Sequence, residues 1–303
     1  MKTAVIGIGS NSVRMLLAEA AGGEIRRISR DREGTRLFAG LDERGNLSEQ
    51  SMNKTADAAA RMAESARRAG AEELHIFATS ASRDARNGQT FVERVRERAG
   101  CELEIISGEA EAELSFLGAS VVAKGDGLRG VIDIGGGSTE IVTGDRERVL
   151  SAVSCQMGAV RLYNLLQINS REDMPPAEAA AGMVLSDALA ERPLPGKPGC
   201  WVGTGGTFTT MAAMALRVPW TEKTCMHGAC ISETQIRSIG EDLADMTPEE
   251  RLKLPGLQPS RADIVVHGVC ILLAVMRELK IDRLFVSEFG NLDGYLIKHY
   301  GKR

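Results

Sequence analysis

The phrase "VIGIGSNSV", Val5 to Val13, is written a second time as "VIDIGGGST", Val131 to Thr139. Both copies read as two β-branched residues, one variable residue, isoleucine, glycine and then small, mostly hydroxyl-bearing residues. β-Branched side chains fit a pleated strand, and glycines admit the tight turn that follows. A single turn of this kind is usually plain geometry. Two copies at matching places in two halves of a chain point instead to one folding unit built twice. Superimposed without gaps, Gly7 falls on Asp133.

The pattern around each copy supports this. Residues 3–8 and 13–18 are short apolar runs joined by the turn, and 25–28 add a third predicted strand. Ser48 is placed to cap a helix with Met52, Ala56, Ala59, Met62, Ala63 and Ala66 as its apolar stripe and Gly70 as its stop. A strand at 74–78, a helix at 90–99 and a strand at 102–106 make the first part mixed α/β. After the second copy come a helix near 158–166, a proline-bearing loop at 173–177 and an alanine-rich helix. A strand at 201–203 then leads through "GTGGT" into a helix at 208–215. A strongly apolar helix at 262–279 and a strand at 283–287 close the pattern. A chain of 303 residues suits two domains. The break is placed in the lysine-glycine-aspartate loop, giving domains 1–124 and 125–303, with the last helix free to pack back on the first.

Composition removes several function classes. A net charge of -4 gives no field for duplex nucleic acid, and 4% aromatic residues offer little for base stacking. Cys101, Cys155, Cys200, Cys225, Cys230 and Cys270 form no CxxC pair, and with four histidines a structural zinc site is not expected. The apolar N-terminal run is broken by Ser10-Asn11-Ser12 and Arg14, so it does not read as a signal peptide, and no run reaches a membrane span of ~18 residues. A cytoplasmic protein without membrane contact is the expectation.

Three glycine-rich turns follow short strands, "GIGSNS", "GGGST" and "GTGGT". Backbone N–H groups converge on an anion most easily where glycines remove side-chain obstruction. No GxxxxGK[ST] occurs, and the third glycine of a dinucleotide-binding fingerprint is replaced by Ser12. Asp133 ends a β-branched run, where a buried carboxylate calls for a metal, a water or a turn to cap. Glu109, Glu111 and Glu113 open a helix, and the helical wheel turns Glu111 inward. Such a glutamate suits a general base, although an acid at a helix start is also favoured by the dipole. Arg83 follows a run of small hydroxyl residues, a setting that aims a guanidinium at phosphate oxygens. His227 and His267 read as core or hydrogen-bonding residues.

Taken together, "GIGSNSVRMLL", "ATSASRDARN", "IISGEAEAELSFLG", "VIDIGGGSTEIV", "GAVRLYN", "VGTGGTFTTMA", "MHGACIS", "EERLKLPGLQPSRADIVVHG" and "FVSEFGNLDGYL" resemble the exopolyphosphatase and guanosine pentaphosphate phosphohydrolase (Ppx/GppA) family, short two-domain type. The resemblance implies two ribonuclease-H-like α/β domains of the actin-like, sugar-kinase-like ATPase superfamily facing across a cleft. It implies Glu111 as catalytic base and Asp133 and Glu140 as acids that position water and Mg2+. Gly9, Ser10, Asn11, Ser12, Arg83, Gly135, Gly136, Gly137, Ser138 and Thr139 match the phosphate-binding set, and Gly205 and Gly206 belong to the third turn. Three positions depart from the family's usual pattern. Gly7 stands in place of an aspartate, Glu113 in place of a frequent arginine, and "GNLDG" in place of a glycine-leucine-arginine run. With Gly7, the metal is expected to have one anionic partner fewer, which Gly7→Asp would restore.

The activity expected is magnesium-dependent release of terminal orthophosphate from inorganic polyphosphate, in a protein that forms a homodimer. Hydrolysis of guanosine pentaphosphate is the alternative substrate reading. A kinase sharing the fold and a catalytically weakened phosphate or nucleotide sensor are the readings of other classes.

Overall fold

The computed structural model describes residues 1–42, 44–146 and 148–302. The chain divides into two compact units, Met1–Gly118 with Asn291–Arg303, and Ala119–Gly290. The terminal helix, Asn291–Tyr300, therefore counts with the first unit although it closes the chain.

In the first unit β1 (Lys2–Ile8), β2 (Ser12–Ala21) and β3 (Glu24–Gly34) form an antiparallel meander. β4 (Glu73–Ala78) and β5 (Leu103–Ile105) continue the sheet in parallel, in the order β3-β2-β1-β4-β5. β1 is central and buried from Thr3 to Ile8, which is why it reads as a continuous apolar run rather than an alternating one. The third strand is longer than its apolar signal because it is an arginine-rich edge strand. Ser48 caps the helix Glu49–Arg68 by accepting from the Ser51 N–H at 3.2 Å, and its alanine and methionine stripe packs on β1, β2 and the helix Gly88–Ala99. A further cluster of Val5, Leu16, Ala18, Phe77, Ile106 and Leu114 closes on Leu292 and Leu296 of the terminal helix.

In the second unit β6 (Arg129–Ile134), β7 (Thr139–Gly144) and β8 (Val149–Cys155) form the same meander. β9 (Cys200–Thr204) lies parallel to β6, β10 (Cys230–Ser232) is an added antiparallel edge, and β11 (Arg283–Ser287) lies parallel to β9. The order β8-β7-β6-β9-β11 repeats the first sheet strand for strand, so each unit has the ribonuclease-H-like arrangement. The helix Val265–Leu279 is buried from Val265 through Met276 and packs on the helices Met174–Glu191 and Glu233–Ala244. It starts at Val265 rather than 262 because Pro259–Arg261 forms a separate 3-10 turn. Pro175 and Pro176 lie in the first turn of the helix Met174–Glu191, not in a loop. A proline there forfeits an N–H that has no partner within the helix anyway.

Candidate active site

The doubled phrase folds into doubled turns. The Gly9 N–H donates to Ser12 O at 3.0 Å, and in the second unit the Gly135 N–H donates to Ser138 O at 2.9 Å. In both turns the carbonyls are held by amides from a following segment. Ser10 O accepts from Phe38, and Asn11 O from Thr35 and Arg36. Gly135 O accepts from Ala159, and Gly136 O from Val160 and Arg161. Engaging these oxygens commits the negative ends of the turn dipoles to the protein, which favours an anion on the amide side. Ser10 and Ser80 share a buried hydroxyl contact at 2.9 Å, and Arg161 Nε donates to Gly137 O at 2.9 Å.

The two hairpins carry opposite charge at the same register. Gly7 pairs with Arg14 in the first, and Asp133 with Glu140 in the second. Facing residues in an antiparallel pair leave the sheet on the same side, so the second hairpin presents two carboxylates together. Glu140 is 1% exposed and accepts from Ser154 Oγ at 2.9 Å. Gly205 takes φ 90, and a Cβ there would lie 2.7 Å from Asp133 Oδ1, so only glycine lets the third turn approach the acid this closely. Arg261 lies over Gly206, where its guanidinium occupies the space of a Cβ. The Cys155 thiol beside Glu140 is pushed up to about 12 by burial, with the glutamate's charge adding to it, and it is therefore an inert thiol at neutral pH.

Two facing carboxylates fit magnesium, which leans on one or two carboxylates and takes its remaining oxygens from water and phosphate. Among the described residues no group of three or more His, Cys, Asp or Glu side chains is arranged to hold a metal.

Glu111 and Arg83 meet in the first unit. Glu111, on the helix Gly108–Ala119, is 7% exposed, and its Oε2 lies 3.5 Å from Arg83 Nη1. Arg83 sits in a short helix, Ser80–Asp84, rather than a loop. Its Nη1 also donates to Ile106 O at 3.0 Å, while Nη2 is buried without a hydrogen-bond partner. A half-buried guanidinium with donors left over is suited to an oxyanion. Glu109 is exposed, and Glu113 pairs with Lys298 at 2.7 Å. His267 Nε2 meets Leu166 O at 2.9 Å, and His227 accepts from the Glu288 N–H at 3.3 Å, so each is engaged with the backbone.

Sequence reasoning did not single out Arg32, Arg36, Arg161 or Arg261. Arg161 and Arg261 lie within segments that carried the resemblance; Arg32 and Arg36 had no signal beyond charge. Among the described residues no helix is long and apolar enough to cross a membrane.

Residues 16–302 match the model of the Ppx/GppA phosphatase family. A Mycobacterium tuberculosis protein named exopolyphosphatase 2 is 32% identical over 99% of each chain. The crystal structure of an exopolyphosphatase-like protein is similar at a TM-score of 0.90 and 28% identity, covering 99% of this chain and 97% of that one. The Aquifex aeolicus PPX-GPPA enzyme matches at a TM-score of 0.82 and 29% identity, covering 99% of both.

Proposed function

Because the chain belongs to the Ppx/GppA phosphatase family, we propose that it is an exopolyphosphatase, a phosphoanhydride hydrolase that releases terminal orthophosphate from inorganic polyphosphate. The observation that carries this reading is the end-to-end likeness to a protein of that name, over 99% of each chain. Glu111 takes a proton from the attacking water. A P–O bond forms at the terminal phosphorus, the bridging P–O bond breaks, and the chain shortens by one phosphate. Arg83 and the turns Gly9–Ser12, Gly135–Thr139 and Gly205–Gly206 stabilise charge on the phosphoryl oxygens. Asp133 and Glu140 would hold magnesium, which when bound neutralises phosphate oxygens and makes coordinated water more acidic. The burial of Glu111 beside Arg83 supports its role as base.

The reading extends to a cytoplasmic setting, supported by six free cysteines, and to a homodimer, which light scattering on the purified chain tests. The test of function is phosphate release from polyphosphate, guanosine pentaphosphate and ATP, each with and without magnesium. Magnesium-dependent release from polyphosphate, ahead of the other two, is the expected result. Turnover of guanosine pentaphosphate with none of polyphosphate would replace the substrate, and release unaffected by chelation would remove the metal.

A further inference from the structure

Two arginines lie against the first turn that the reaction above does not use. Arg32, on β3, donates from Nε to Ser12 Oγ at 3.2 Å and faces Arg14 directly across the β2–β3 pair. Like charges in facing positions of a sheet repel, and Arg14 Nη2 donates to a neutral oxygen, Asn291 Oδ1, at 3.1 Å. An anion beside Ser12 would relieve that repulsion and take two guanidinium groups at once.

Arg36 adds an independent observation. Among the described residues three that are not glycine have positive φ, namely Arg36, Arg217 and Lys280. Arg217 and Lys280 follow the last turns of helices, where the left-handed conformation is the usual stop. Arg36, at φ 55 and ψ 46, instead precedes the short 3-10 helix Leu37–Gly40. Its N–H donates to Asn11 O in the turn at 3.1 Å, and its side chain is exposed. Glycine would donate the same N–H from the same backbone without strain. Strain retained at such a place is associated with a use for the side chain.

We propose that Arg32 and Arg36 extend the first turn into a subsite for the inner phosphates of a linear polyphosphate. The inference rests on the polyphosphate reading, and it concerns the grip on the chain rather than the chemical step. Every inner phosphate carries negative charge, so a row of guanidinium groups leading from the turn favours a chain over a single small anion.

The test compares wild type with Arg32→Ala, Arg32→Lys, Arg36→Gly and the control Arg30→Ala, which lies on β3 two pairs further from the turn, opposite Leu16. kcat and KM are measured on tripolyphosphate and long-chain polyphosphate. Thermal midpoints are recorded, and tripolyphosphate binding is measured by calorimetry in a Glu111→Gln background. Arg32→Ala should raise KM and Kd about tenfold or more, the loss of one charge-assisted contact, with kcat within about twofold. Arg32→Lys should recover only part, because the planar fork is lost. Arg36→Gly should raise KM without lowering the thermal midpoint, and Arg30→Ala should change neither constant beyond about twofold. Each arginine stands or falls by its own variant. Unchanged KM and Kd in an enzyme that hydrolyses polyphosphate overturns the subsite alone, as does a fall in kcat with KM unmoved, which would make Arg32 only a support for Ser12. A wild type that neither binds nor hydrolyses polyphosphate overturns the functional reading, and the subsite with it.

Discussion

A Cβ on Gly7 would stand 2.9 Å from Leu292 Cδ2 and 3.3 Å from Phe77 Cζ. Gly7 and the segment 290–294, two of the places where the sequence resemblance led to an expectation of other residues, therefore lie against each other, with Leu292 over the glycine. Gly7 is not among the glycines with positive φ, so its backbone admits a side chain, but the Leu292 methyl and the edge of the Phe77 ring must shift to make room for it. The expectation that Gly7→Asp would restore an anionic partner to the metal is thereby joined by a cost in stability. Gly7→Asp should destabilise the fold by about 2–4 kcal/mol, through overpacking and a carboxylate buried without its partner. The double variant Gly7→Asp/Leu292→Arg should recover a substantial part of that loss. Urea denaturation of the two single variants and the double variant reads the coupling, and strictly additive effects would show that the two positions do not form a pair. For Glu111, replacement by glutamine removes a base while keeping shape, so kcat should fall by about 10²–10⁴ with tripolyphosphate affinity retained. Near-normal turnover at saturating polyphosphate would reduce Glu111 to an acid at a helix start.

The helix that carries Glu111 is seated by the terminal helix. A Cβ on Gly294 would overlap the Leu114 carbonyl oxygen, and Lys298 reaches Glu113 on the same helix at 2.7 Å. Because the overlap is with backbone, Gly294→Ala must push the helix Gly108–Ala119 away and carry Glu111 with it. The expected result is a fall in kcat of about tenfold or more with KM little changed, since small displacements of a catalytic group cost rate. Intact kcat in a folded Gly294→Ala variant would show that the contact is slack. In the second unit the helix Val265–Leu279 contains His267, 2% exposed, whose proton affinity is held below the ordinary value by burial. Arg251 lowers it further, while the Leu166 carbonyl and Asp263 act the other way. With the folded pKa below the unfolded value of about 6.5, the unfolded chain binds more protons between the two, so stability rises with pH there. This contribution is complete above pH ~6.5 and is lost as pH falls from there through the folded value. His267→Gln keeps a donor for Leu166 and cannot titrate, so its urea midpoint should vary less than wild type's between pH 7.5 and 5. Parallel profiles would remove His267 as a source of acid sensitivity.

Across the whole molecule one hairpin scaffold appears with two charge signs, Gly7 and Arg14 in the first unit and Asp133 and Glu140 in the second. The same turn closure serves both, which accounts for the repeated phrase: strand, glycine turn and strand are set by residues adjacent in the chain, and β-branching and glycine mark them locally. For that reason the β1–β2 and β6–β7 hairpins, the Ser48 cap and the inward turn of Glu111 were legible from sequence. β3 was legible only in part, because an edge strand lined with arginines has no apolar run to show. The proline-bearing start of the helix Met174–Glu191 was misread because proline signals both a loop and a first helical turn. What tertiary structure alone decided are contacts between residues far apart in the chain: Leu292 filling the space over Gly7, Gly294 seating the helix of Glu111, and Arg32 reaching Ser12 from a neighbouring strand. Local pattern specifies which face a residue takes on its own strand or helix. Which distant side chain meets it there is fixed by the packing of whole elements, and no short stretch of sequence contains that information.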